Sequence, residues 1–182
     1  MKKNKAVLLF LLRFFVSYLL LAGGYQWYLT VFQQKETIYR CDPITETVAN
    51  QCVAVGNFLG YEFHQEQHPD ELSIKLYTDK HYTARVIEGC NAMSIIILFW
   101  AFIIAFRGTW KNTLLFGIVG GFLIYWMNIA RIVFLTIVLD TYPQNSDFWH
   151  QIIFPSIIYG FTFILWVVWV RYFAIKNPED ES

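Results

Sequence analysis

The chain has no Cys-x-x-Cys pair, no internal repeat, no low-complexity tract and no net charge. Its three cysteines, Cys41, Cys52 and Cys90, lack the close spacing that most membrane thiol oxidoreductases use. Nor is there a His-Glu-x-x-His motif. His64 and His68 have the i, i+4 spacing, but Glu66 sits in the wrong place for it, and 61–70 reads as a polar loop. No metal and no cofactor is therefore expected. Without repeats or composition breaks, 1–182 reads as a single domain.

What is present is apolar surface. Of 182 residues, 56% are hydrophobic and 19% aromatic, far more than one small soluble core can hide. Four apolar runs stand out, Phe14–Phe32, Ile87–Phe106, Leu114–Leu139 and Ile152–Phe173. Each is close to the ~20 residues a helix needs to cross ~30 Å of hydrocarbon. The expectation is an all-α integral membrane protein with four transmembrane helices. Lys2 to Leu21 has the basic start and apolar stretch of a signal peptide, but the stretch is too long and more aromatic sequence follows Gly24, so it reads as an anchor.

The basic residues give the chain sides. Lys2, Lys3, Lys5 and Arg13 precede the first run, Arg107 and Lys111 join the second to the third, and Arg171 and Lys176 follow the fourth. Short flanks rich in Lys and Arg stay inside, so both termini are expected in the cytoplasm. The acid-rich stretch 33–86 and the short loop Asp140–Trp149 then lie outside. No cytoplasmic segment is long enough to fold as a domain, which excludes soluble and nucleic-acid functions.

The external stretch forms a cap with its own pattern. Asp42-Pro43 reads as an N-cap with proline at the first helical position. Ile44, Val48, Cys52, Val55 and Leu59 then mark one helical face, with Gly60 as a stop. Such an amphipathic helix is expected on the membrane surface. Further on, Leu72 to Tyr77 alternates apolar with polar and can pair with Tyr82 to Ile87 around Asp79-Lys80, a hairpin leading into Cys90.

Three side chains can carry chemistry. Arg131 lies inside an apolar run, eight residues before Leu139 and so about 12 Å inward along an ideal helix. Burying a guanidinium in hydrocarbon costs roughly 2.5 to 3.5 kcal/mol on insertion scales, so an intramembrane arginine marks a function or a structural pairing, here with carbonyls or Glu88. Asn128, one turn earlier, can orient it. Cys90 opens the second run, where a helix N-terminus favours the thiolate and Glu88 opposes it; the alternative is a small apolar residue at an interface. His150 opens the fourth run and can act as an acid or base, or simply anchor the chain at the interface beside Trp149. The topology puts all three on the outer side.

The Cys90 segment opening one span, Asn128-Ile-Ala-Arg131-Ile late in the next and His150 opening the last resemble the exosortases and archaeosortases, specifically the short Bacteroidetes-type exosortase F. The resemblance covers Arg85 to Gly160 and, more loosely, the whole layout. Many members carry Ser-Gly after the cysteine, where Asn91-Ala92 stand here. It implies a multi-pass protein of the bacterial inner membrane, its site facing the periplasm. It also implies a cysteine protease or transpeptidase that cleaves C-terminal sorting signals of exported, membrane-anchored proteins. Cys90 would be the nucleophile, His150 the acid/base and Arg131 the conjoined arginine. The partners implied are those substrates, the lipid bilayer and an acceptor amine. The rival readings are a non-catalytic membrane assembly or transport subunit, with Arg131 binding a ligand or helix, and a membrane thiol oxidoreductase.

Overall fold

The computed structural model describes residues 2–34, 39–79, 81–106, 108–141 and 152–174. The elements run α1 (Lys2–Phe32), α2 (Pro43–Phe58), β1 (Phe63–Gln67), β2 (Ser73–Thr78), β3 (His81–Ile87), a 3-10 turn (Glu88–Cys90), α3 (Met93–Ala105), α4 (Trp110–Thr141) and α5 (Phe154–Tyr172). Among the described residues, three helices, α1, α4 and α5, are long and apolar enough to cross a membrane.

The second expected span is shorter than its apolar run. Ile87 ends a strand, Glu88–Cys90 forms the turn, and α3 has only 13 residues, about 20 Å of helix. Ala92 at φ +67 stops helical backbone from running through, and the Asn91 side chain accepts from the Met93 N–H at 3.0 Å to start α3 afresh. Hydropathy reads strand, turn and helix alike.

The helices pack around α3, which touches α1, α4 and α5. Phe99, Ile103, Ile124, Ile158 and Trp169 fill the bundle core. Gly117 and Gly120 let α4 approach closely, since a Cβ there would strike the Trp100 and Phe99 rings of α3. Leu12, Leu19 and Leu20 of α1, Leu115 and Phe122 of α4, and Phe163 and Ile164 of α5 remain exposed, an apolar belt suited to lipid.

The cap is not purely helical. The expected hairpin forms as β2 and β3, with Asp79 at φ 52 in its turn. The segment read as a polar loop contains β1, which completes an antiparallel sheet in the order β1-β2-β3. Only Phe63 of β1 is buried, so its alternation was invisible in the sequence. Asp42 caps α2 as expected, accepting from the Ile44 and Thr45 N–H groups at 3.1 and 3.0 Å. The apolar face of α2, however, enters the cap core rather than lying on a membrane. Val48, Ala49 and Cys52 pack with Phe63, Ile74, Leu76 and Val86, and Gly56 makes room for the Phe63 ring.

Helix α4 joins the two parts. At 32 residues it is about 48 Å long, well beyond the ~30 Å of hydrocarbon. Its Ile129, Ile132 and Val133 belong to the cap core, not to the bundle core. Arg131 stands 21 residues beyond Trp110, about 31 Å along the axis. That length is about the thickness of a bilayer's hydrocarbon, and it places Arg131 at the end of α4 that packs on the cap. The apolar residues around it are apolar because they pack on the cap.

Candidate active site

Cys90 sits on the 3-10 turn, before α3 rather than in its first helical turn. The Asn91 N–H donates to the Glu88 carbonyl at 3.1 Å and closes the turn. The Asn128 amide donates to the Cys90 carbonyl at 2.6 Å, so α4 grips the cysteine backbone. The helix-dipole contribution expected for Cys90 is accordingly weaker, because the Met93 N–H at the head of α3 is already taken by Asn91. The cysteine is partly buried, unpaired, and packed against the cap core.

Arg131 lies one turn above Asn128 on α4. Its Nε is buried and has no hydrogen-bond partner among the described residues, and no described carboxylate pairs with it. Pairing with Glu88 is absent among the described residues, and the Asn128 side chain is held by its bond to Cys90. Cys52 of α2 is electrostatically coupled to both site residues. Burial pushes its thiol up to about 12, with Cys90 adding to the rise and Arg131 opposing it. Burial likewise raises Cys41. Both stay protonated near neutral pH and are poor nucleophiles. All three cysteines are free.

His150 and Trp149 lie outside the described residues, as does the rest of 142–151. Of the cap histidines, His64 stacks on Tyr77 at 4.7 Å, and the His68 Nδ1 accepts from the Asp70 N–H at 3.1 Å. Among the described residues no group of 3 or more His, Cys, Asp or Glu side chains is arranged to hold a metal ion. An open groove of about 550 Å³ runs beside the turn, between Gln26 and Leu29 of α1, Gln33 just after it, and Arg85, Glu88 and Gly89.

Sequence reasoning missed the residues that hold the turn. Asn91 is fully buried and donates to the Tyr25 hydroxyl oxygen at 2.7 Å and to Thr45 Oγ1 at 3.1 Å. Those partners lie on α1 and α2, far away in sequence, and only the unusual residue after Cys90 hinted at them.

Residues 6–170 match the family model described as transmembrane exosortase. The chain belongs to that family. The match spans the bundle and the cap, and with its long apolar helices this exosortase is a multi-pass membrane protein. No curated protein and no solved structure matches it.

Proposed function

We propose that this exosortase is a membrane cysteine protease or transpeptidase that cleaves C-terminal sorting signals from exported, membrane-anchored proteins. The observation that carries the reading is a free Cys90 on a turn fastened to α4, the helix that carries a partly buried Arg131 whose Nε has no partner among the described residues. A guanidinium with that N–H unspent is available for charge that develops during a reaction.

The chemistry follows from those groups. The Cys90 thiolate attacks the scissile carbonyl, forming a C–S bond while the oxyanion is held by Arg131. His150 supplies the proton as the C–N bond breaks, and the anchor helix leaves with the new amine. Water or an external amine then takes the acyl group from sulfur. All four apolar helices cross the inner membrane in this reading, with both termini in the cytoplasm and the cap in the periplasm. Asn128, level with Cys90, stands about 27 Å along α4 from Trp110, the depth at which an anchored chain leaves the outer leaflet. The groove beside Gly89 offers such a chain a way in.

The test is to express wild type and Cys90→Ala in a host lacking its own copy, and to follow anchored exported proteins by mass spectrometry. Wild type should remove an anchor that the variant leaves in place. Equal processing by both sinks the reading, and the new C-terminus separates hydrolysis from transfer.

A further inference from the structure

The cap sheet has two edges, and they are treated differently. At β1, α2 reaches across: the Phe63 N–H donates to Asn57 Oδ1 at 2.7 Å, and Gln65 Nε2 donates to Asn50 Oδ1 at 2.6 Å. Strand β3 forms the other edge, and among the described residues no group from outside the sheet bonds to the backbone of Thr83 to Val86. The register shows which of its backbone groups are free. The His68 N–H donates to the Ser73 carbonyl, so the Ser73 backbone faces β1 and that of Ile74 faces β3. Val86, opposite Ile74, spends its backbone on the sheet, and Arg85 and Ile87 turn their N–H and C=O groups outward. Such an edge is a template on which another extended chain can pair. It is also aimed, because β3 ends at Ile87 and the next three residues are the turn that carries Cys90. The side chains of Arg85 and Ile87, two apart and so on one face, line the groove that continues past Glu88 and Gly89.

We propose that the extended segment just before the anchor helix of a substrate pairs with this edge as a fourth strand, parallel to β3, and is led by it to Cys90. The proposal rests on the function proposed above and says how that site holds its substrate. The direction follows from the chemistry. The acyl half of the substrate ends at the scissile carbonyl, which must meet Cys90, so a segment lying along β3 runs toward the turn as β3 does. Pairing of the leaving half would run the other way, but that half is the anchor, whose backbone hydrogen bonds are spent within its own helix. Helix α3 has the same sense: it starts beside Cys90, level with Asn128, and its Phe99 and Trp100 meet Gly120 and Gly117 further down α4. From Arg85 to Ile87 is about 7 Å of strand, and the 3-10 turn to Cys90 adds at most about 6 Å. An extended chain covers this in about 4 residues, which sets how far before the cut the substrate lies level with Arg85. Main-chain pairing tolerates many sequences, while every second side chain faces the groove beside Arg85 and Ile87 and is read there.

The test reads binding without cleavage. In full-length Cys90→Ala, expressed in the host lacking its own copy, a photo-reactive phenylalanine analogue is placed at Thr83 or at Ile87, and the crosslinked peptides are sequenced by mass spectrometry. Both positions should capture the segment directly ahead of the C-terminal apolar helix of an exported protein, and the Ile87 crosslink should fall about 4 residues nearer that helix than the Thr83 crosslink. The same analogue at Glu66 on β1 should capture no such segment. Arg85→Pro, measured with the Thr83 probe, should lower the yield about 10-fold, whereas Arg85→Ala should stay within about 2-fold of the parent, because proline removes an N–H that the sheet itself does not use. Reversed order, capture of a helix or of unrelated segments, equal capture from Glu66, or no capture overturns the proposal. Equal yields from Arg85→Pro and Arg85→Ala overturn it too. Should Arg85→Pro not insert in the membrane, the order of the two crosslinks decides alone. Ordered capture with unchanged processing in Cys90→Ala would sink the protease reading alone, and loss of processing without ordered capture would sink the pairing alone.

Discussion

Asn128 on α4 donates to the carbonyl oxygen of Cys90 at 2.6 Å, so the helix that carries Arg131 also holds the cysteine backbone. Asn128 is only 1% exposed, and the bond is short for an amide and a carbonyl. Asn128→Ala leaves the Cys90 carbonyl without that donor, at a cost of about 1 to 3 kcal/mol. Thermal melts in detergent should show the loss. Asn128→Asp should be worse than alanine, because a carboxylate would face the carbonyl. A melting temperature that stays at the wild-type value in both variants would remove the bond from any structural role.

Arg131 separates stability from activity. With no ion pair to break among the described residues, Arg131→Met should leave the melting temperature unchanged or raise it, since a half-buried cation with a buried, unpartnered Nε is costly. Processing of anchored proteins should fall about 100- to 1,000-fold if the guanidinium stabilises the oxyanion. Arg131→Lys keeps the charge and loses the fork, so it should recover only part of the rate. Full activity in the methionine variant would return Arg131 to a purely structural place.

Much of the cap was legible because its signals are local. Asp42-Pro43 marks the start of α2, and the alternation either side of Asp79 marks the β2–β3 hairpin. The strand β1 was not, since four of its five residues are polar or charged and only Phe63 is buried. Helix α3 looked like a full span because Ile87 belongs to a strand and is nonetheless apolar. The apolar run around Arg131 carried no sign that Ile129, Ile132 and Val133 pack in the cap core. Cys90 and Asn128 stood out as reactive or polar in apolar surroundings, whereas their connection through the backbone, 38 residues apart, carries no sequence signal.

Ala92 occupies left-handed backbone at φ +67 and is nearly buried, which makes the link between the turn and α3 sensitive to branching at Cβ. Left-handed backbone costs an L-residue about 1 to 2 kcal/mol. Ala92→Gly should be tolerated. Ala92→Val should cost about 2 kcal/mol or more, through both the backbone and the packed surroundings, and should lower expression and melting temperature together. A valine variant as stable as wild type would mean that the turn adopts another conformation.

Cys52 gives the cap an alkaline limit. Its thiol is raised from 9.0 to about 12 in the fold, so between those values the folded chain holds a proton that the unfolded chain releases. Stability should therefore be full below about pH 9 and fall as the pH climbs toward 12. Cys41, shifted in the same direction, adds to the slope. Melting temperature measured against pH should decline less steeply above pH 9 in Cys52→Ala than in wild type, even though the variant starts lower because of the cavity. Parallel curves would contradict this account.

Helix α4 is one rod shared by two packed cores. Its lower part is packed in the bundle by Gly117 and Gly120, and its upper part is locked into the cap by Ile129, Ile132 and Val133. A change in the tilt of its lower part must therefore be taken up where α4 meets the cap, at Asn128 and Arg131. Asn128 links that junction to the carbonyl of Cys90, so turnover in vesicles of graded acyl-chain length should show an optimum set by the length of this helix, and a flat profile would mean that the junction absorbs no strain.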